Sequence, residues 1–122
     1  MLQYRIEERH GYLYMAVSGP ASLAGAEEAY RAALDAAAQR KLSRVLMDCT
    51  GVFGDWQAAH RLALGAYMAD ENRRRAQWPQ VGVLAVPPIY DPGRFHQQVA
   101  NNRGVQMRSS DNLQELLSWL GV

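Results

Sequence analysis

Two short runs constrain this chain more than anything else in it. Val45-Leu46-Met47 and Val81-Gly82-Val83-Leu84-Ala85-Val86 are apolar at nearly every position. That is the pattern of a strand covered on both faces, not of one with a wet side. Segments of helical composition stand before, between and after them, and such alternation calls for a mainly parallel sheet with right-handed crossovers. The first run opens a longer stretch, Arg44 to Trp56, around which the rest is organised. It reads as a buried strand through Cys49, a turn punctuated by Gly51 and Gly54, and a helix start capped by Asp55. A strand's carboxyl end feeding a helix amino end is the usual ligand position in an open α/β sheet. The same residues also satisfy a plain βα turn that holds nothing.

Taken in order, Tyr4–Glu8 and Tyr12–Val17 flank His10-Gly11 and predict an antiparallel hairpin ended by Gly19-Pro20. Ser22 then caps an alanine-rich helix from Leu23 to about Arg40, with Ala26, Tyr30, Ala33, Leu34 and Ala37 on one face. After the organising stretch, a helix from about Trp56 to Arg75 is expected to bury Ala59, Leu62, Ala63, Ala66 and Tyr67, leaving His60, Arg61 and Leu64 off that stripe. Trp78-Pro79 stops it, and Pro87-Pro88 ends the Val81–Val86 strand. Asp91-Pro92 opens a third helix, with Phe95 and Val99 inward and Gly104 at its end. Val105–Arg108 is a short strand. Asp111, with Gln114 three residues on, caps a last helix whose apolar face is Leu113, Leu116, Leu117 and Leu120. The expected order is β-β-α-β-α-β-α-β-α, in one domain over 1–122.

Bulk properties exclude several function classes. A formal net charge of +1 provides no field to attract nucleic acid or an anionic membrane. The run Arg73-Arg74-Arg75 ends a helix, where cations complement the dipole, and Asp70 and Glu71 dilute it. No apolar run approaches the ~20 residues that span a bilayer. The single cysteine, Cys49, excludes an internal disulfide and fits a cytoplasmic setting. His10, His60 and His96 are dispersed, so no metal is expected; no glycine-rich phosphate loop is present, and no cofactor is expected either.

The order of elements resembles the STAS-like fold of the anti-sigma-factor antagonists and the related STAS/CRAL-TRIO-like bacterial domains. The residues that carry the resemblance are Val17-Ser18-Gly19 at the close of the hairpin, the strand and turn Leu46 to Val52, the segment Ala100 to Gly104, and the ending Asp111 to Leu120. The resemblance implies a non-enzymatic regulatory or ligand-binding module. In the antagonists a phosphorylatable serine preceded by an aspartate opens the helix after the central strand. Here that stretch is Phe53-Gly54-Asp55-Trp56-Gln57, without serine or threonine. Thr50 belongs to the preceding turn, so no serine phosphoswitch is expected.

The candidate site is the carboxyl edge of the sheet, where the turn Thr50–Trp56 faces the loop Pro87–Tyr90. Asp48, Thr50, Phe53, Asp55, Trp56, His60 and Tyr90 are its candidate ligand-binding residues, with Ile89 beside them. Phe53, Trp56 and Tyr90 bring bulky apolar groups to turns, either as cover for the core or as pocket walls. Asp55 and His60 at a helix amino end would orient a polar head. The favoured ligand is small and apolar or amphipathic, a lipid among them; the rival is a protein partner of the antagonist type. Asp48, Cys49, Asp55 and His60 lie close in sequence, but Cys49 at a strand end reads as an inert thiol, so no catalytic residue is assigned. Tyr4, Tyr12 and Tyr14 crowd the first hairpin, and apolar surface left outside would favour a homodimer.

Overall fold

The computed structural model describes the backbone of residues 1–90 and 95–122, with their side chains except those at 95, 96 and 99. Its elements are β1 (Gln3–Arg9), β2 (Tyr12–Pro20), α1 (Leu23–Gln39), β3 (Arg44–Phe53), α2 (Ala58–Arg75), β4 (Gln80–Leu84), α3 (Phe95–Asn102), β5 (Gln106–Ser110) and α4 (Leu113–Leu120). The strands lie side by side in chain order, with β1 antiparallel to β2 and every later pair parallel. Both strands read as fully covered, β3 and β4, have a neighbour on each side. The expected start of the third helix at Asp91-Pro92, and the side chains of Phe95 and Val99, lie outside what is described.

The two faces of the sheet are covered unequally. One carries Leu13, Met15, Val17, Val45, Met47, Val81 and Met107 against Ala29, Tyr30, Ala33, Leu34 and Ala37 of α1, Met68 and Ala69 of α2, and Ala100 of α3. The small alanines let α1 lie close to the strands, and Ser22 Oγ caps it by accepting from Gly25 N–H at 3.0 Å. The opposite face gathers Tyr12, Tyr14, Leu46 and Leu84 under Leu116 and Leu120 of α4. Alternation along each strand makes this division, so neighbours such as Leu46 and Met47 serve different cores. Tyr12 and Tyr14 are buried on the α4 side, and only Tyr4 of the three hairpin tyrosines is exposed, at 39%. Tyr4, paired with Val17, lies on the other face and is the one of the three left outside the core.

β3 departs from the expected strand in a way that matters for the site. It continues through Gly51 to Phe53, four residues beyond Cys49. Against β2, Ala16 pairs with Asp48 but Ser18 pairs with Gly51, so β3 holds one extra residue there. This β-bulge shifts the alternation by one. Val45, Met47, Cys49 and then Val52 face the three-helix side, and Phe53 turns outward. Gly51 is required at the bulge: a Cβ on it would lie 2.9 Å from the Ser18 Cβ.

Helix ends are shifted as well. α2 begins at Ala58 with Gln57 as its cap, so Asp55, two residues earlier and exposed, is not the cap it was expected to be. The buried residues of α2 are Gly65, Met68, Ala69, Glu71 and Asn72. The expected stripe is displaced: Ala59 and Leu62 are exposed, and Arg61 and Leu64 turn inward instead. In α4 the cap is Asn112, whose side chain accepts from Glu115 N–H at 3.2 Å, one residue after the expected Asp111, and Leu113 is exposed.

Candidate functional site at the carboxyl edge of the sheet

The carboxyl ends of β3 and β4 deliver two connections to the same edge. The β3–α2 connection turns at Gly54, whose φ of +109° lies in the left-handed region, and places Trp56 against the start of α2. The Trp56 and His60 rings meet edge to face with centroids 5.8 Å apart. His60 Nδ1 accepts from the Gln57 N–H at 3.4 Å, which fixes the ring one turn inside the helix. From the other side, β4 leads to Val86 and the turn that carries Ile89 and Tyr90. Arg61 joins the two: its guanidinium donates to the Ile89 carbonyl at 3.0 Å and to the Pro88 carbonyl at 2.9 Å.

Beneath this clasp lie two adjoining apolar chambers of about 70 Å³ each. They share Cys49, Trp56, Leu64, Val83 and Ile89 as walls. The inner one reaches Tyr30, Met47, Met68 and Met107; the outer one reaches Arg61, Tyr90 and Ser109. Burial, with a smaller contribution from the negative charge of Asp48, pushes the Cys49 thiol up to about 12, so it remains a neutral, weakly polar wall.

The expected site residues therefore divide. Trp56 and Tyr90 wall the chambers, and His60 braces Trp56. Asp48 and Thr50 do not join them, because Asp48 alternates with Cys49 and faces the α4 side. There it accepts from the Tyr14 hydroxyl at 2.6 Å, and from the Thr50 hydroxyl and N–H at 2.7 and 3.1 Å. Burial works against its charge, but these donors outweigh it and hold the carboxyl below its ordinary value. Arg9 completes the cluster by stacking its guanidinium 3.6 Å from the centre of the Tyr14 ring. Phe53 and Asp55 point to solvent. Sequence reasoning missed Arg61, although it left one signal: a cation near a helix amino end, where the dipole disfavours it, needs another reason to be there.

The basic run at the end of α2 is tied up by acids. Arg73 pairs with Asp70 at 2.9 Å, Arg74 and Arg75 pair with Glu71 at 2.7 and 2.9 Å, and Arg75 also reaches Asp35. Among the described residues no three His, Cys, Asp or Glu side chains converge as a metal site requires, and no helix is long and apolar enough to cross a membrane.

No protein-family model matches the sequence, and no curated protein is similar to it in sequence. Solved structures do resemble it. An anti-sigma factor antagonist from Mycobacterium paratuberculosis superposes with a TM-score of 0.66 at 14% identity, over 100% of this chain and 96% of that one. A protein with a SpoIIAA-like fold from Shewanella loihica superposes with a TM-score of 0.56 at 17% identity, over 98% of this chain and 93% of that one. The chain has the STAS-like, SpoIIAA-like fold. Nothing in these comparisons supports the CRAL-TRIO side of the resemblance.

Proposed function

We propose that the chain, as one STAS-like domain, is a non-enzymatic interaction module that engages a protein partner at the carboxyl edge of its sheet. The observation that carries this reading is Phe53. It is 62% exposed at the end of the central strand and opens the stretch that corresponds to the one where the antagonists carry their phosphorylatable serine. Leu62 on α2 and Val86 after β4 expose apolar side chains at the same edge, at 46% and 42%. Several exposed apolar side chains brought to one edge are the kind of surface that a protein partner covers. The full-length likeness to an anti-sigma factor antagonist supports a protein as the partner. With no hydroxyl from Phe53 to Gln57, the module would act without a serine phosphoswitch there.

The lipid reading is less well supported. Pockets for ligands of drug size run to roughly 300–1,000 Å³, against about 70 Å³ for each apolar chamber. The wider hollow of about 580 Å³ beside the hairpin turn is open and flanked by Glu8, Arg9 and His10.

Affinity capture with the tagged protein, followed by titration of the recovered partner against wild type and Phe53→Asp, tests the proposal. The expected result is a stoichiometric protein partner lost in the variant. Tight uptake of a fatty acid by the delipidated protein, with no protein partner recovered, would overturn it.

A further inference from the structure

We infer that β1 is a docking edge for a second copy of this chain, the two β1 strands pairing antiparallel about a two-fold axis at Ile6 to make one continuous sheet. This is the lateral edge of the sheet, apart from the carboxyl ends of the strands at which a different protein partner is proposed above.

The two lateral edges, β1 and β5, are finished differently. Side chains of α3 close the β5 edge. Asn101 accepts from the Met107 N–H at 3.0 Å and donates to the Met107 carbonyl at 3.1 Å, and Gln97 Oε1 accepts from the Ser109 N–H at 2.6 Å. β1 has no such closure. The two-residue turn His10-Gly11 makes Arg9 and Tyr12 a hydrogen-bonded pair, and β1 runs on from there without a register shift. Arg9, Glu7, Arg5 and Gln3 therefore bond inward to β2, and the N–H and C=O groups of Glu8, Ile6 and Tyr4 point outward. No described residue bonds to those outward groups. Such a row of unpaired backbone is a template for another strand.

The side chains select a second copy, in one register. A two-fold axis through the strand pair keeps each face of the sheet continuous, so a residue meets only residues of its own face. Tyr4, Ile6 and Glu8 share the three-helix face with their pairing partners Val17, Met15 and Leu13; Arg5, Glu7 and Arg9 share the α4 face with Ala16, Tyr14 and Tyr12. With the axis at Ile6, Arg5 of each copy stands opposite Glu7 of the other, Ile6 meets Ile6, and Tyr4 faces Glu8. Every outward backbone group of Tyr4, Ile6 and Glu8 is then paired. Moving the axis to Arg5 or to Glu7 sets like charges directly opposite each other, which is unfavourable, and strands the outward groups of Glu8 or of Tyr4. Charges on an edge strand commonly keep other strands away. Here they attract in the register that saturates the backbone and repel in those beside it. The Arg5 and Glu7 side chains are 70% and 41% exposed, so both are within reach of a second copy.

Sedimentation equilibrium of the full chain tests the inference. Wild type should show a reversible monomer–dimer equilibrium. Arg5→Glu and Glu7→Arg should each weaken self-association by at least about tenfold, since each puts like charges opposite at both symmetric positions. An equimolar mixture of the two variants should dimerise again, because both cross-strand pairs in the mixed dimer are opposite in sign. A wild type that stays monomeric at high concentration, a dimer indifferent to both substitutions, or a mixture that stays monomeric would overturn the inference. Where circular dichroism shows that a variant does not fold, amide exchange of wild type decides. The Tyr4, Ile6 and Glu8 amides should gain protection as protein concentration rises, while those of Arg5 and Glu7 stay protected throughout; exchange at Tyr4, Ile6 and Glu8 that is independent of concentration overturns the inference.

Discussion

The Tyr14 hydroxyl donates to Asp48 Oδ2 at 2.6 Å, reaching across from β2 to a residue two positions beyond its own pairing partner Leu46 on β3. It ties the start of the parallel sheet to the residue just ahead of the bulge, on the face that α4 covers. Tyr14→Phe should lower stability by about 1 kcal/mol, the low side for a charged acceptor because Asp48 is partly solvated. The Asp48 carboxyl is held below its ordinary value of 3.8, so its contribution is present above that pH and is lost as pH falls through the folded-state value. Removing the donor brings the folded-state value closer to the ordinary one, so the stability lost to acid should be smaller in the variant and complete at a higher pH. Urea midpoints followed downward from neutral pH check this; superimposable acid profiles would count against it.

Tyr30 makes the corresponding link between α1 and α2. Its hydroxyl donates to Asn72 Oδ1 at 2.5 Å in a buried setting, while Asn72 Nδ2 has no partner among the described residues. Tyr30→Phe should cost about 1–3 kcal/mol by orphaning the rest of the amide, and adding Asn72→Leu should restore much of the loss, since replacing both polar groups removes the unmet ones. Burial also pushes the Tyr30 hydroxyl well above its ordinary value of 10.0. Its neutral form is favoured in the fold, so that contribution is present below pH 10 and is lost as pH rises toward the folded-state value. Alkaline unfolding with release of tyrosinate absorbance, attenuated in the double variant, is the expected result.

Element types and order were legible because they rest on long averages: the alanine-rich stretch of α1, the unbroken apolar runs of β3 and β4, and the glycines that close the hairpin and α3. What was not legible depends on single residues. The buried residues of α2 are Gly65, Met68, Ala69, Glu71 and Asn72, and three of these carry no hydrophobic signal. Hydropathy therefore chose Ala59, Leu62 and Ala66, on a different side of the helix. Asp55 and Asp111 are good capping types, yet Gln57 and Asn112 have the cap positions, since a cap is decided by where the chain turns and an acid out of reach of the free N–H groups cannot serve. Trp56 and Tyr90 were placed at the site by their turns alone, whereas Asp48 and Thr50 were separated from it by one step of strand alternation.

Cys49 gives a chemical check on the enclosed side of that alternation. With its thiol pushed up to about 12 by burial, it should resist iodoacetamide in the native protein at neutral pH and react fully once unfolded. Rapid, stoichiometric labelling of the native state would show that the chamber wall is open and the thiol ionisable.

The sharpest prediction sets Val52 against Phe53. In a regular strand Phe53 would share a face with Val45, Met47 and Cys49 and would fill the three-helix core, leaving Val52 on the other side. The extra residue opposite Ser18 reverses this, so Val52 is buried and Phe53 is 62% exposed. Val52→Ala should therefore destabilise by about 1–2 kcal/mol through the cavity it leaves. Phe53→Ala, although it removes far more side chain, should stay within about 0.5 kcal/mol of wild type. Gly51→Ala should cost about 1–3 kcal/mol, because its new Cβ would meet the Ser18 Cβ at 2.9 Å and the bulge cannot relax without moving β2. Chemical denaturation of the three variants separates the cases. A large loss for Phe53→Ala with a small one for Val52→Ala would mean that the strand keeps its regular alternation, and the outward aromatic on which the partner site depends would not exist.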